Sequence, residues 1–158
     1  MTIDTQKFDD FLGLSAALTG FSSFNLQGTG QASLYYSTLI DIVGEGTFFE
    51  LLDTFHGLEN KTKGDEAVLA ECLRQDIFSS DRLGPIARNI IKLWYVGTWY
   101  QLPAAWRDTF GVHEKDITVV VSPIAFTEGL LWPTLGVNPP AAKAQGYGSW
   151  SHKPSVAP

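Results

Sequence analysis

The stretch Pro85–Tyr100, PIARNIIKLWYVGTWY, constrains the fold more than any other part of the chain. Ile86, Ile90, Leu93 and Trp94 recur at the three- and four-residue spacing of one helical face. Ile91, Tyr95, Val96 and Trp99 extend the apolar surface onto the neighbouring faces. A helix that is apolar nearly all round has to be covered on more than one side, so the rest of the chain is expected to pack around this one. Gly84-Pro85 suits its start, because proline at the first helical position lacks only a donor that would be unpaired anyway. All five tryptophans fall at or after Trp94, so the same helix opens an aromatic half. Ile86, Ile90 and Leu93 are expected in the core. For Trp94, Tyr95 and Trp99 a partner-facing surface competes with the core, since Trp and Tyr are enriched at binding hot spots.

At 158 residues the chain has the length of one domain with a proper core. Its net charge of −6 leaves no electrostatic footprint for nucleic acid. The sign is uneven, with 12 acids against 4 bases in residues 1–76 and 5 against 7 in residues 77–158, which hints at two surfaces with different roles. A single cysteine, Cys72, excludes an internal disulfide framework and reads as a small buried hydrophobe in a helix. No apolar run approaches the ~20 residues that span a bilayer. Met1-Thr2-Ile3-Asp4 has neither the basic start nor the apolar stretch of a signal peptide, which gives a cytoplasmic expectation if Met1 is native.

The expected fold class is mainly α: an irregular domain of about five to seven helices over residues 1–132, followed by an extended arm, residues 133–158. Asp4 or Thr5 caps a helix to about Leu18, with Phe8, Phe11, Leu12, Ser15 and Leu18 inward and Gly20 as its stop. Residues 20–30 read as loop. Gln31–Val43 forms a second helix, and Thr47 with Glu50 has capping-box spacing for a short third one. Residues 57–64 read as a solvated loop, and Asp65 starts a further helix with Val68, Leu69, Cys72, Leu73 and Ile77 inward. After the central helix come a turn of helix at Ala104–Phe110, the single β-like run Ile117–Val121, and a helix opened by Ser122-Pro123. Trp132-Pro133 is expected to close that helix, because the residue before proline is pushed out of helical geometry.

The chain shows no catalytic or ligand-binding signature. His56, His113 and His152 show no ligand spacing. Ser15, in Gly13-Leu14-Ser15-Ala16-Ala17, lacks the second glycine of a nucleophile elbow and falls on an inner helical face. Gly28-Thr29-Gly30 opens a helix as a phosphate-binding turn does, but no strand precedes it. Asp9 with Asp10, and Asp65 with Glu66, read as helix-start acids that suit the helix dipole. The arm is the more informative feature. Tyr147 and Trp150 place two large rings on a Gly/Pro/Ser-rich backbone, where they either fold back on their own core or lie across another subunit.

Four motifs in order carry a resemblance: Phe11-Leu12-Gly13-Leu14-Ser15-Ala16-Ala17-Leu18-Thr19-Gly20-Phe21, Leu93-Trp94-Tyr95-Val96-Gly97-Thr98-Trp99, Glu128-Gly129-Leu130-Leu131-Trp132 and Gly146-Tyr147-Gly148-Ser149-Trp150. Together they resemble the small (gamma) subunit of bacterial FAD-dependent membrane sugar and alcohol dehydrogenases, the sorbitol, glucose and fructose dehydrogenase complexes. The resemblance implies a helical, non-catalytic chain with no cofactor of its own. Its expected partner is a large flavoprotein of the glucose–methanol–choline type that holds FAD and, in some members, an iron–sulfur cluster, with a cytochrome c subunit as a further component. It also implies a maturation role and a periplasmic, membrane-associated address. The twin-arginine leader and the C-terminal cysteine of some members are missing here. By position, the implied contact residues are Trp94, Tyr95, Trp99, Phe126, Trp132, Tyr147 and Trp150. Two other classes stand beside this one: a free-standing helical ligand-binding or regulatory protein, and an enzyme using a pair such as Asp116 with His113.

Overall fold

Asp4 accepts hydrogen bonds from the backbone N–H groups of Gln6 and Lys7 and so caps α1 (Thr5–Thr19), which Gly20 ends in left-handed geometry. The computed structural model describes residues 3–139. Phe11, Leu12 and Ser15 face inward as the periodicity predicts, while Phe8 and Leu18 are only half-buried. The expected loop at residues 20–30 contains a short helix, α2 (Ser23–Gly28), because the Ser22 hydroxyl caps the N–H of Asn25. Helix α3 (Ala32–Val43) follows, and one residue separates it from α4 (Glu45–Thr62). That residue is Gly44, at φ 82°, ψ 147°, a backbone conformation open to glycine and strained for other residues.

Two expectations fail along α4. It starts before Thr47 and runs through Gly57 to Thr62, so residues 57–62 are helix rather than loop. Leu58 and Thr62 are buried there, and packing of that face outweighs the glycine and the polar composition. Thr47 and Glu50 form no capping box. They hold Arg82 instead: Glu50 pairs with its guanidinium at 2.7 Å and the Thr47 hydroxyl accepts from it at 3.0 Å.

Asp65 caps α5 (Glu66–Cys72), which continues into a π-helical segment, Leu73–Phe78. Leu73 and Ile77 are buried, Cys72 is half-buried, and Val68 is exposed rather than inward. Helix α6 (Gly84–Val96), with Pro85 in its first turn, packs against α1, the π-helical segment and three later elements. Ile86, Ile90 and Leu93 are fully enclosed. The helix ends earlier than its apolar pattern suggests. Gly97 turns the chain at φ 63°, where a Cβ would lie 2.5 Å from the Ala125 backbone. Thr98–Trp99 then forms β1, antiparallel to β2 (Val119–Val120), so the β-like run is one side of a two-stranded ribbon.

Between the strands lies α7 (Ala104–Phe110). Helices α8 (Pro123–Thr127), capped by Ser122, and α9 (Leu131–Leu135) close over α6. Trp132-Pro133 does not terminate a helix. Pro133 occupies the third position of α9, where its missing N–H is one of the unpaired donors of a first turn. Among the described residues the fold is thus mainly helical with one two-stranded sheet.

The core has an aromatic centre. Phe11 of α1 meets Tyr36 of α3 and Phe48 of α4 edge-on, each at 5.8 Å, and stacks on Trp94 of α6 at 6.2 Å. Each such pair contributes roughly 0.5–1.5 kcal/mol beyond the area it buries. Phe11→Ala is expected to cost about 3–5 kcal/mol, read from the urea midpoint. A loss below about 1 kcal/mol would mean that the four helices are held elsewhere.

Candidate functional site

The residues expected at a partner contact divide into three groups. Trp94 is 1% and Trp99 0% exposed. Trp94 stacks on Phe11 and meets Tyr35 edge-on at 4.8 Å. The Trp99 indole N–H donates to the Asp116 carboxylate at 2.8 Å. Both rings are committed to this chain's own core, the alternative that competed with a partner-facing surface. Tyr95, Phe126 and Trp132 are half-buried and keep some surface. The Tyr95 hydroxyl donates to the Thr19 carbonyl at 3.0 Å, and the Trp132 indole N–H donates to the Phe126 carbonyl at 2.8 Å, with their rings 5.4 Å apart. Tyr147 and Trp150 lie outside the described residues.

Asp116 is the one buried carboxylate in this region, 3% exposed. It accepts from Trp99 and from the Leu102 backbone N–H at 3.0 Å, while its own carbonyl accepts from Gln101. Amide and indole donors satisfy its charge. It therefore fastens the loop before β2 to the segment after β1. The loop is held from a second side as well. Lys115 pairs with Asp41 of α3 at 2.9 Å, and His113 lies beside Gly44. Asp116 and His113 share a backbone hydrogen bond, with no side-chain contact between them among the described residues, so the pair lacks the geometry of a base and its orienter.

Other candidates resolve similarly. Ser15 is fully enclosed, and its hydroxyl has no hydrogen-bond partner among the described residues; a substrate has no path to it. Asp10 is not a helix-start acid. It is buried mid-helix and accepts from Gln6 at 3.0 Å and pairs with His56 of α4 at 2.9 Å. Thr29 uses its hydroxyl to bond Leu26 and Gln31, so the Gly28-Thr29-Gly30 turn is self-satisfied. Among the described residues no cluster of three or more His, Cys, Asp or Glu is placed to hold a metal ion, and no helix is long and apolar enough to cross a membrane. A groove of about 690 Å³ runs between α1, α2, α4 and α5 over Gly13, Ala16, Ala17 and Gly20. Its lining brings no acid–base pair together.

What the last third presents outward is aliphatic. Ile117 is 54%, Ile124 61%, Leu135 61% and Val137 51% exposed, and both residues of β2 are exposed as well. The run Ile117–Val121 is visible in the sequence as apolar, but only its single ladder partner reveals that Ile117, Val119 and Val120 stay exposed while Val121 packs on the core. Ile124 and Leu135 carry no sequence signal at all. Comparison of the chain with protein-family models, curated proteins and solved structures found no match. The surface is thus interpreted from its own chemistry.

Two outcomes follow from this geometry. Asp116→Ala leaves the Trp99 and Leu102 donors buried and unpaired, and is expected to cost about 2–4 kcal/mol with a red shift of tryptophan emission. Unchanged stability would remove Asp116 as the fastener. Burial, with the Glu128 carboxylate as a lesser cause, holds the Tyr35 phenol well above its ordinary value of 10.0, and burial raises Tyr36 too. Above pH ~10 the unfolded chain releases phenolic protons that the native chain keeps, so native protein binds more protons and stability falls as pH rises. In urea titrations at increasing alkalinity, Tyr35→Phe should flatten that decline; an identical slope in the variant would contradict the assignment.

Proposed function

We propose that this chain is a non-catalytic small subunit that binds and stabilises the large FAD-containing catalytic subunit of a sugar or alcohol dehydrogenase. The observation that carries the reading is the set of exposed aliphatic side chains in the last third, Ile117, Val119, Val120, Ile124, Leu135 and Val137. Apolar side chains left exposed in number mark an interaction site. The four ordered motifs support the choice of partner, a flavoprotein of the glucose–methanol–choline type. In this reading FAD, and in some complexes an iron–sulfur cluster, belong to the large subunit. A cytochrome c subunit is a further member, and the assembly works at the periplasmic face of the membrane.

The physical role is to cover apolar surface on the large subunit while its cofactor and fold come into place. Of the expected contact residues, Tyr95, Phe126 and Trp132 remain in the proposed interface, together with Tyr147 and Trp150 of the arm. Trp94 and Trp99 act behind it, holding the scaffold.

The test is co-purification. The tagged chain, expressed in its native host and isolated gently, should bring down a large subunit with flavin absorption near ~450 nm. Ile124→Asp should reduce recovery of that subunit by at least about tenfold, as expected for a charge driven into an apolar contact, without loss of helicity by circular dichroism. A colourless monomer of 17.3 kDa would instead favour a free-standing binding protein.

A further inference from the structure

We infer that the open edge of β2 receives an extended segment of the flavoprotein subunit, which adds a third strand to the sheet; this rests on the subunit reading above.

The argument starts from the ladder. Trp99 stands opposite Val119 and Thr98 opposite Val120, in antiparallel register. The Val121 N–H donates to the Gly97 carbonyl at 3.0 Å. Hydrogen-bonded positions alternate along an antiparallel strand, so Val119 and Val121 turn their backbone groups toward β1 and its flank. Val120 and Thr118 turn theirs the other way. Among the described residues no strand pairs with that outer edge, since the sheet has two strands only. A two-stranded ribbon this short is marginal unless it is packed or extended.

The chemistry of the edge states what fits it. An occupant must be an extended backbone, because outward N–H and C=O groups spaced two residues apart match a strand about 4.8 Å away. Its side chains must be apolar and uncharged. Ile117-Thr118-Val119-Val120-Val121 carries no charge, Val119 and Val120 are 40% and 48% exposed, and Ile117 and Ile124, close to them in sequence, are 54% and 61% exposed. Sheet edges left to solvent are normally guarded by lysine, proline or a bulge. This one is unguarded and β-branched, as strand-adding recognition sites are. Charge argues against a second copy as the occupant, because each chain carries −6 and like net charge opposes self-pairing. Below the edge, Asp116 and the Lys115–Asp41 pair hold the ribbon in place before any partner arrives, which lowers the ordering cost of binding.

The experiment is amide hydrogen exchange by NMR on the full chain, alone and then with the flavoprotein subunit recovered by co-purification. Alone, Val119 and Val121 should be protected and Val120 should exchange freely at every protein concentration. With the flavoprotein, Val120 should become protected. Protection of Val120 in the dilute isolated chain would assign the edge to residues 140–158 of the chain itself. Protection that rises with concentration would assign it to a second copy. Either result overturns the inference, as does a Val120 amide that stays exposed in the complex. Two variants complete the test. Val120→Pro removes only an outward donor, and should keep native helicity while weakening flavoprotein binding about tenfold or more. Val120→Lys keeps the N–H but guards the edge with charge, and should weaken binding similarly if Val120→Pro proves unstable. If both variants bind as wild type while Ile124→Asp does not, the subunit reading stands and strand addition falls. If no flavoprotein is recovered with the wild-type chain, the subunit reading fails and this inference fails with it.

Discussion

The packing of one ring, Phe11, is the condition for the rest of the structure. It touches aromatic partners on three other helices at once: Tyr36 on α3, Phe48 on α4 and Trp94 on α6. Helices of this length are marginal alone and gain their stability from the faces they bury. Joining four of them through one cluster makes each dependent on the others. The apolar faces of α6 are covered by α1, the π-helical segment, β1, α8 and α9, while Arg88 and Lys92 stay exposed on its remaining face.

Much of this was legible in the chain. Ser122 is read correctly as a cap, Asp4 as one of two choices for a cap, Asp65 as a helix start, and Ile86, Ile90 and Leu93 as core, because these signals are local and strong. The failures share a cause. Gly57 and the polar run after it look like a loop until Leu58 and Thr62 find the core, and Trp132-Pro133 looks like a stop until the chain uses Pro133 to start a helix. Both are cases where tertiary packing or position within a turn decides between two local options. The short α2 was missed for the opposite reason: Ser22 signals a cap, but a loop-like composition surrounds it.

The candidate contact surface was legible only in part. Reading tryptophans as anchors overlooks that an indole can be taken into the core by packing, as Trp94 is, or by an acceptor far along the chain. For Trp99 it is Asp116, 17 residues later. The aromatic rings so placed stiffen the scaffold, and aliphatic residues with no distinguishing pattern take the outer position. Sequence periodicity tells a helix's inner face from its outer one. It cannot tell which β-branched residue of a two-residue strand has been left without a neighbour.

The cover over α6 has a consequence for synthesis. The Trp99 indole is closed over by Asp116, and the Trp94 carbonyl receives the Leu130 N–H at 2.9 Å. Both partners are translated after the helix they protect. At roughly 5–20 residues per second, the growing chain carries α6 only partly covered for about 2–6 s. Until the later segments are in place, the chain exposes an apolar face that the finished molecule covers.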